Sequence, residues 1–342
     1  MLNLEGADVI GLFPPSKVRI SVGTAVVLGL EIAFMRSDAS PTAAYLQTYY
    51  PGRCVANCKF CAQSRGSHAK LDKIARGLYP PYSVDLVLNR LKKATRRNLI
   101  KRICIQTINY PNMLRDLLWL VKKIREERNA PISVSIFPIS SEGLKKLKEA
   151  GVERLVIPLD AANEKIFDEI KGAKTHSTYR WNNHIMALKQ AVRIMGKGNV
   201  GTHLIIGLGE TEKDAVQLIQ RLKDMGVYCG LFAFTPIQGT PLGERPQPPI
   251  EVYRRVQIAH YIISNNFAHF KNMMFNEAWE IIDFSIRKER LNKLIESGKP
   301  ILTSGCPNCN RPYATEIPGK LIYNYPSSPS REELQKIRRQ II

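Results

Sequence analysis

The sequence predicts an α/β fold built on parallel strands: a (βα) barrel of the TIM type, eight-stranded, with an extension at each end. Three observations carry this expectation. Between about residue 44 and residue 236, six short β-branched runs alternate with amphipathic helical segments. Consecutive parallel strands need crossover helices, which leaves a barrel or a doubly wound sheet. No GxGxxG follows the first run, so a dinucleotide-binding sheet has little support. The loop after that run carries cysteines instead, and barrel chemistry sits at the C-terminal ends of strands.

The elements follow in order. The first strand is read over residues 43–50, ending just before Cys54. A helix from Ser83 places Val84, Val87, Leu88 and Leu91 on one face. Residues 101–107 form the second strand, and the helix from Met113 to Arg128 turns Leu117, Leu120, Val121 and Ile124 inward. Residues 132–137 are the third strand. The helix after it carries Leu144, Leu147 and Ala150 and stops at Gly151, where glycine tolerates positive φ. Residues 155–160 are the fourth strand, followed by a helical stretch through Ile194. Residues 200–206 are the fifth. The next helix opens at Thr211 with Asp214 three residues on, close to a capping box, and ends at Gly226. Residues 227–234 are the sixth. After Gly239 prolines mark a loop; a helix over 250–265, a possible strand at 270–275 and helical stretches near 279–297 are expected to supply the last two strands.

Composition excludes several classes. The chain has 342 residues, 50 Lys+Arg against 30 Asp+Glu (net +20), and is 44% hydrophobic, too apolar for a disordered polycation. The first eight residues lack a basic stretch followed by an apolar one, so no secretory leader is expected. The most apolar stretch, Thr24 to Phe34, is interrupted by Glu31 and falls well short of the roughly 20 residues of a membrane span. A cytoplasmic protein is expected. The excess charge fits a solvated surface, a nucleic acid, an anionic membrane surface or an acidic protein partner.

Seven cysteines are present, five of them in two tight clusters, which suggests metal ligation rather than paired bridges. Cys54, Cys58 and Cys61 form CxxxCxxC with Phe60 before the last cysteine. Three thiolates so spaced can hold an iron–sulfur cluster with one iron open; a zinc site completed from elsewhere is the alternative. This motif after the first strand of a βα series resembles the radical S-adenosylmethionine (SAM) superfamily. Residues 58–64, CKFCAQS, are similar to its biotin synthase and lipoyl synthase branch, as are Gly207, Gly209 and Glu210 in IIGLGE, although His203 stands where that motif begins with glycine. Residues 238–242, QGTPL, also look like this branch. The resemblance implies a SAM-binding [4Fe-4S] cluster on the three cysteines and reductive cleavage of SAM to a 5′-deoxyadenosyl radical. It implies that Phe60, Ile205, Gly207 and Asp160 serve the cofactor, Ile205 near the adenine and Asp160 near the ribose. For the SAM carboxylate, Arg180 and Lys189 are positional candidates.

The second constellation is Cys306 and Cys309 in CPNC, with Cys104 far upstream. A single CxxC equally fits half a zinc site or a redox pair. By the resemblance, Cys104 occupies the second-strand position where biotin synthases keep a ligand of their auxiliary cluster, while their cysteines on the third and fifth strands have no counterpart. An auxiliary [4Fe-4S] cluster on Cys104, Cys306 and Cys309 is expected, and it requires the tail to fold back over the barrel mouth. Its fourth ligand is sought among Ser304, Ser327, Ser328 and Ser330, because lipoyl synthases use a serine. Cys104 as a plain strand cysteine and Cys306/Cys309 as a zinc knuckle remain alternatives, and Cys229 reads as core. His203 faces either a strand interior or the cavity, and Trp119 and Trp279 are expected in the core or an interface.

Residues 303–313 and 323–326, with 17–25, resemble the archaeal two-component lipoyl synthase subunit. That resemblance implies insertion of sulfur into an octanoyl chain on an acidic carrier protein of the glycine cleavage H protein or lipoyl domain type. The auxiliary cluster would be consumed as the sulfur source. The implied partners include a second lipoyl synthase subunit and an electron donor such as ferredoxin. Alternatives are a biotin-synthase-like enzyme on a small free substrate and, from another class, a zinc-containing basic nucleic-acid-binding protein. The expected organisation is an N-terminal extension (1–40), the barrel (41–300) and a C-terminal extension with the CxxC (301–342).

Overall fold

The computed structural model describes residues 14–33, 40–127, 130–312, 314–316 and 321–341. The first eight residues, where no leader is expected, lie outside the described residues, as do Phe34, Arg128 and Tyr313. Strands β1 (Lys17–Ile20), β2 (Ala43–Thr48), β3 (Lys73–Ile74), β4 (Gly77–Leu78), β5 (Pro81–Ser83), β6 (Arg102–Gln106), β7 (Ile132–Ser135), β8 (Val152–Val156), β9 (Val200–Ile206) and β10 (Val227–Ala233) precede β11 (Met274–Phe275) and β12 (Ile281–Asp283). The main sheet has eight strands in the order β10-β9-β8-β7-β6-β2-β1-β5. Six of them, β2 and β6 to β10, pair in parallel and correspond to the six runs read from the sequence, although the fourth, read over 155–160, is the strand Val152–Val156.

Strand number meets the expectation, but the source of the last two strands does not. They are β1 and β5, each antiparallel to its neighbours, added beside β2 rather than beyond β10. Residues 270–275 yield a short 3₁₀ turn and β11, which pairs only with β12 in a separate ribbon, and the helix expected near 279–297 is confined to Lys288–Glu296. β11 and β12 pair with each other and with no strand of the main sheet. Lys17–Ile20 instead buries Val18 and Ile20 against the first strand.

The crossover helices are α2 (Val84–Arg96), α3 (Met113–Glu127), α4 (Ser141–Glu149), α5 (Glu164–Ile170), α6 (Trp181–Met195) and α7 (Glu212–Asp224); α1 (Val22–Val27) precedes them and α8 (Ile250–Ser264), α9 (Lys288–Glu296) and α10 (Arg331–Arg339) follow. The predicted capping box is formed: Asp214 N–H donates to Thr211 Oγ1 at 3.1 Å, and Thr211 N–H donates back to the Asp214 carboxylate at 3.1 Å. Gly151 ends α4 at φ +96°, a conformation glycine adopts without a Cβ clash. Helix faces and strands close on one core in which Ile103, Ile105, Val134, Leu155 and Leu204 are fully buried. Each such side chain contributes about 1.5–3 kcal/mol.

The tail lies across the gap between the two ends of the parallel sheet. Ser304 Oγ accepts from Leu231 N–H on β10 at 2.8 Å, while Asn310 Oδ1 accepts from Thr42 N–H at 3.1 Å just before β2. The CxxC thus stands against the starts of the strands. Only the later residues reach the other end, where Thr235 Oγ1 donates to Thr315 O and Arg76 N–H to Ala314 O.

Candidate iron–sulfur and SAM site

Cys54, Cys58 and Cys61 sit in a tight loop beyond β2, held by backbone bonds rather than by regular structure. Cys54 N–H donates to Gln63 O, Cys61 N–H to Cys58 O and Arg65 N–H to Ala56 O, at 2.9–3.1 Å. Neighbouring loops fasten it further: Val55 N–H to Asn109 O and Lys59 N–H to Ile170 O, both at 2.8 Å. Residues 238–242 dock on it as well, through His68 N–H to Gly239 O and Leu242 N–H to Lys59 O. Asn109 N–H also donates to Cys54 Sγ at 3.2 Å, orienting the sulfur. All seven cysteines are free thiols.

Burial pushes the three thiols up, Cys61 to about 11, and Cys58 well above the ordinary range. The charge of Cys54 adds to that burial at both Cys58 and Cys61. Buried sulfurs that resist ionisation partly because of one another are the donor set a cationic metal group satisfies. Among the described residues no three His, Cys, Asp or Glu side chains are arranged around a single metal ion. What the three buried thiols of one loop offer an iron–sulfur group is a donor set in which each sulfur can ligate a separate iron.

Asp160 follows β8 at φ +66°, a strained position for a residue with a Cβ. Its backbone is fixed on both sides, Asp160 N–H donating to His203 O and Ile205 N–H to Asp160 O at 2.8 and 2.9 Å. Its carboxylate accepts from Lys171 Nζ at 2.6 Å. After β9, Glu210 accepts the backbone N–H groups of Gly207 (2.6 Å) and Leu208 (3.0 Å), which pins the turn. At Gly207, φ is +107° and a Cβ would lie 2.9 Å from Pro248 Cδ, so the turn admits only glycine without rearrangement. Ile205 and Phe60 are half-buried beside the core. Arg180 spends Nη1 on the carbonyls of Ser177 and Tyr179, and Lys189 belongs to a surface hollow with Gln220 and Asp224. The cation paired with Asp160 is Lys171, which sequence spacing does not reveal.

The second set is brought together. Cys104 on β6 is in register with Tyr45 on one side and Ser133 on the other. Tyr228 OH lies 3.0 Å from Cys306 Sγ, Ser133 Oγ donates to the same sulfur at 3.3 Å, and Tyr45 OH is 3.5 Å from Cys309 Sγ. Burial raises the Cys104 thiol well above its usual range, with Cys309 and Cys306 adding to it. Arg102, 3% exposed, clamps the tail: Nε donates to Pro307 O at 2.8 Å, Nη1 to Ser133 Oγ at 2.9 Å, and Nη2 to Glu153 at 2.8 Å. Of the serine candidates, Ser304 is engaged with Leu231 N–H and Ser330 caps α10. A serine not among those candidates, Ser133, has its hydroxyl on a cysteine sulfur of this set. Cys229 is a core residue whose carbonyl accepts from His260 Nε2.

A cavity of about 370 Å³ opens beside this second set. Its walls include Cys104, Cys306, Cys309, Phe232, Val156 and His203. His203 therefore faces the cavity. Burial, with Arg311 and Lys171 assisting, pushes its imidazole down to about 4, so it is neutral near pH 7. Trp279 is a surface residue, with Lys213 Nζ 3.4 Å above its ring centre.

These features place a cluster of buried thiols, a candidate metal site, at the C-terminal ends of parallel strands. The radical SAM superfamily model matches residues 49–222, and the chain belongs to that superfamily. Membership implies a [4Fe-4S] cluster and SAM as cofactors. Curated relatives are the biotin synthases of Sulfurihydrogenibium sp. (32% identical over 198 residues; 57% of this chain, 55% of the relative), Citrifermentans bemidjiense (33% over 196; 56% and 55%) and Desulforudis audaxviator (26% over 217; 62% and 62%). The chain thus spans less than two thirds of their length. Among solved structures, the FeFe-hydrogenase maturase HydG from Carboxydothermus hydrogenoformans superposes with a TM-score of 0.51 at 17% identity, covering 67% of this chain and 53% of the maturase. A second HydG structure gives 0.50 at 14%, covering 70% and 57%. That likeness concerns the fold alone. Among the described residues no helix is long and apolar enough to cross a membrane.

Proposed function

We propose that the chain is a radical SAM enzyme that inserts sulfur into an unactivated C–H position. Cys54, Cys58 and Cys61 hold the SAM-binding cluster; Cys104, Cys306 and Cys309 hold an auxiliary cluster that is the sulfur source. The observation that supports this most is the second cysteine set lining a mainly apolar cavity large enough for one small ligand or chain. When bound, cluster and SAM supply hydrogen-atom abstraction from carbon. The chain's own residues bind, orient and exclude water. Asp160 accepts from the ribose hydroxyls, Ile205 and Phe60 pack against the nucleoside, and Gly207 keeps the turn beneath it close. Ile74, Leu78, Val156 and Phe232 keep the cavity dry.

For the substrate, the relatives' shared name favours a small free molecule of the dethiobiotin kind. A second reading, an octanoyl chain carried on an acidic protein, is supported by the tail-borne cysteine pair. Cys104 has Tyr45 and Ser133 as register neighbours, not further cysteines. Lys73 and Arg76 on the β3–β4 hairpin beside the cavity suit such a carrier. A second subunit and a ferredoxin-type electron donor belong to this reading.

The test is turnover by the anaerobically reconstituted full chain with SAM and a reductant, read by mass spectrometry. Sulfur appearing in dethiobiotin supports the first reading, and sulfur in an octanoylated carrier the second. One zinc per chain with no 5′-deoxyadenosine would overturn both in favour of a zinc-binding protein.

A further inference from the structure

Lys171 follows α5 and is 4% exposed, a depth at which lysine is almost never found unless paired. Its Nζ donates to Asp160 Oδ2 and to Pro158 O, each at 2.6 Å. An ammonium has three donors, so one remains beyond these two partners. The rings of Tyr179 and Phe167 confine it, with centres 5.6 and 5.8 Å away. Its location relative to the cysteine loop is fixed, because the preceding residue, Ile170, accepts Lys59 N–H. Of the charges acting on the Cys58 thiol, that of Lys171 is the largest, and it acts on Cys54 also. Gly172 beside it has no room for a side chain, since a Cβ would lie 2.4 Å from Asp168 Oδ1.

Desolvating an ammonium is costly, and one carboxylate 10% exposed offsets that only in part. The Pro158 carbonyl and the two rings add to that carboxylate, and three thiolates ligating a metal group would place further negative charge beside the ammonium. We propose that Lys171 is a positioning residue and internal counter-cation of the iron–sulfur site: it holds the Asp160 carboxylate in place and offsets the negative charge of the Cys54, Cys58 and Cys61 thiolates. The inference rests on those cysteines carrying the cluster. A fixed cation there favours the reduced, more negative state of the site over the oxidised one.

The experiment compares the full chain with Lys171→Gln and Lys171→Arg after anaerobic reconstitution. Iron content is read first, then the reduced-to-oxidised ratio, at fixed potentials, of the centre whose spectrum changes on adding SAM. One unit charge several ångströms away, at an effective dielectric of about 20 and partly cancelled by Asp160, gives an effect of about tenfold. Lys171→Gln is therefore expected to keep its iron and lower the ratio about tenfold, a shift of ~59 mV for one electron. Lys171→Arg is expected to stay within about threefold of the parent. Loss of iron in Lys171→Gln alone, with Lys171→Arg retaining it, would equally support a role for the charge. Equal ratios in all three chains would overturn the proposal, and so would Lys171→Arg behaving like Lys171→Gln. A parent chain without iron on these cysteines removes the underlying assignment, and the first readout reports that separately.

Discussion

Replacing Arg102 by methionine removes the clamp on the tail while keeping an unbranched apolar stem on β6. Three bonds are lost. The pair with Glu153 counts for little, because that carboxylate is 41% exposed and resolvates. The bonds to Pro307 O and Ser133 Oγ, at 2.8 and 2.9 Å, come from a buried cation, and such charge-assisted bonds contribute about 2 kcal/mol each. Only the first ties down the tail directly; the second acts through Ser133 on Cys306. Local opening of residues 303–312 should therefore become easier by about 2 kcal/mol, roughly thirtyfold. Amide hydrogen exchange of the metal-free full chain reads this directly, at Thr303, Cys309 and Arg311, whose N–H groups donate to Tyr325 O, Cys306 O and Tyr45 OH respectively. Exchange at those amides unchanged in Arg102→Met, with the core equally protected in both chains, would refute the clamp.

Other consequences can be measured alongside. Gly207→Ala forces a Cβ to 2.9 Å from Pro248 at positive φ and should cost about 2–4 kcal/mol in urea unfolding. Tyr228→Phe and Ser133→Ala remove hydroxyls from Cys306 Sγ; iron at the second site should be lost to a chelator about tenfold faster, and rates equal to the parent's would contradict their role. Burial lowers His184 to about 3 and both His203 and His260 to about 4, below the unfolded value near 6.5. The unfolded chain therefore binds these protons first, and the stability they contribute is present above about pH 6.5 and lost as pH falls towards 4. Unfolding near pH 5 should take up about three protons more from these groups than near pH 8, measured by the pH dependence of urea midpoints in single His→Gln variants.

The six βα units were legible because parallel strands buried on both faces read as apolar runs and their helices keep a 3.6-residue period. Cys54, Cys58 and Cys61 were legible because their grouping is local. β1 and β5 were not, since strands of four and three residues on the sheet margin carry almost no periodic signal. Lys171 was hidden for another reason. It reaches Asp160 only because α5 stops at Ile170 and turns the next residue inward, and sequence spacing does not encode that angle. Ser133, Tyr228 and Arg102 converge on the CxxC through sheet register across three strands, which no spacing rule reads. Cys306 and Cys309 were identified from a short motif, but their place at the strand starts depends on how the tail crosses the open sheet.

If the proposed function holds, the two cysteine sets carry two separate iron–sulfur clusters. Iron and sulfide per chain after anaerobic reconstitution test it most directly, in the parent and in Cys306→Ala/Cys309→Ala. About eight of each are expected in the parent and about four in the double variant, with the remaining centre still responding to SAM. About four in both chains, or one zinc in the parent, would contradict it.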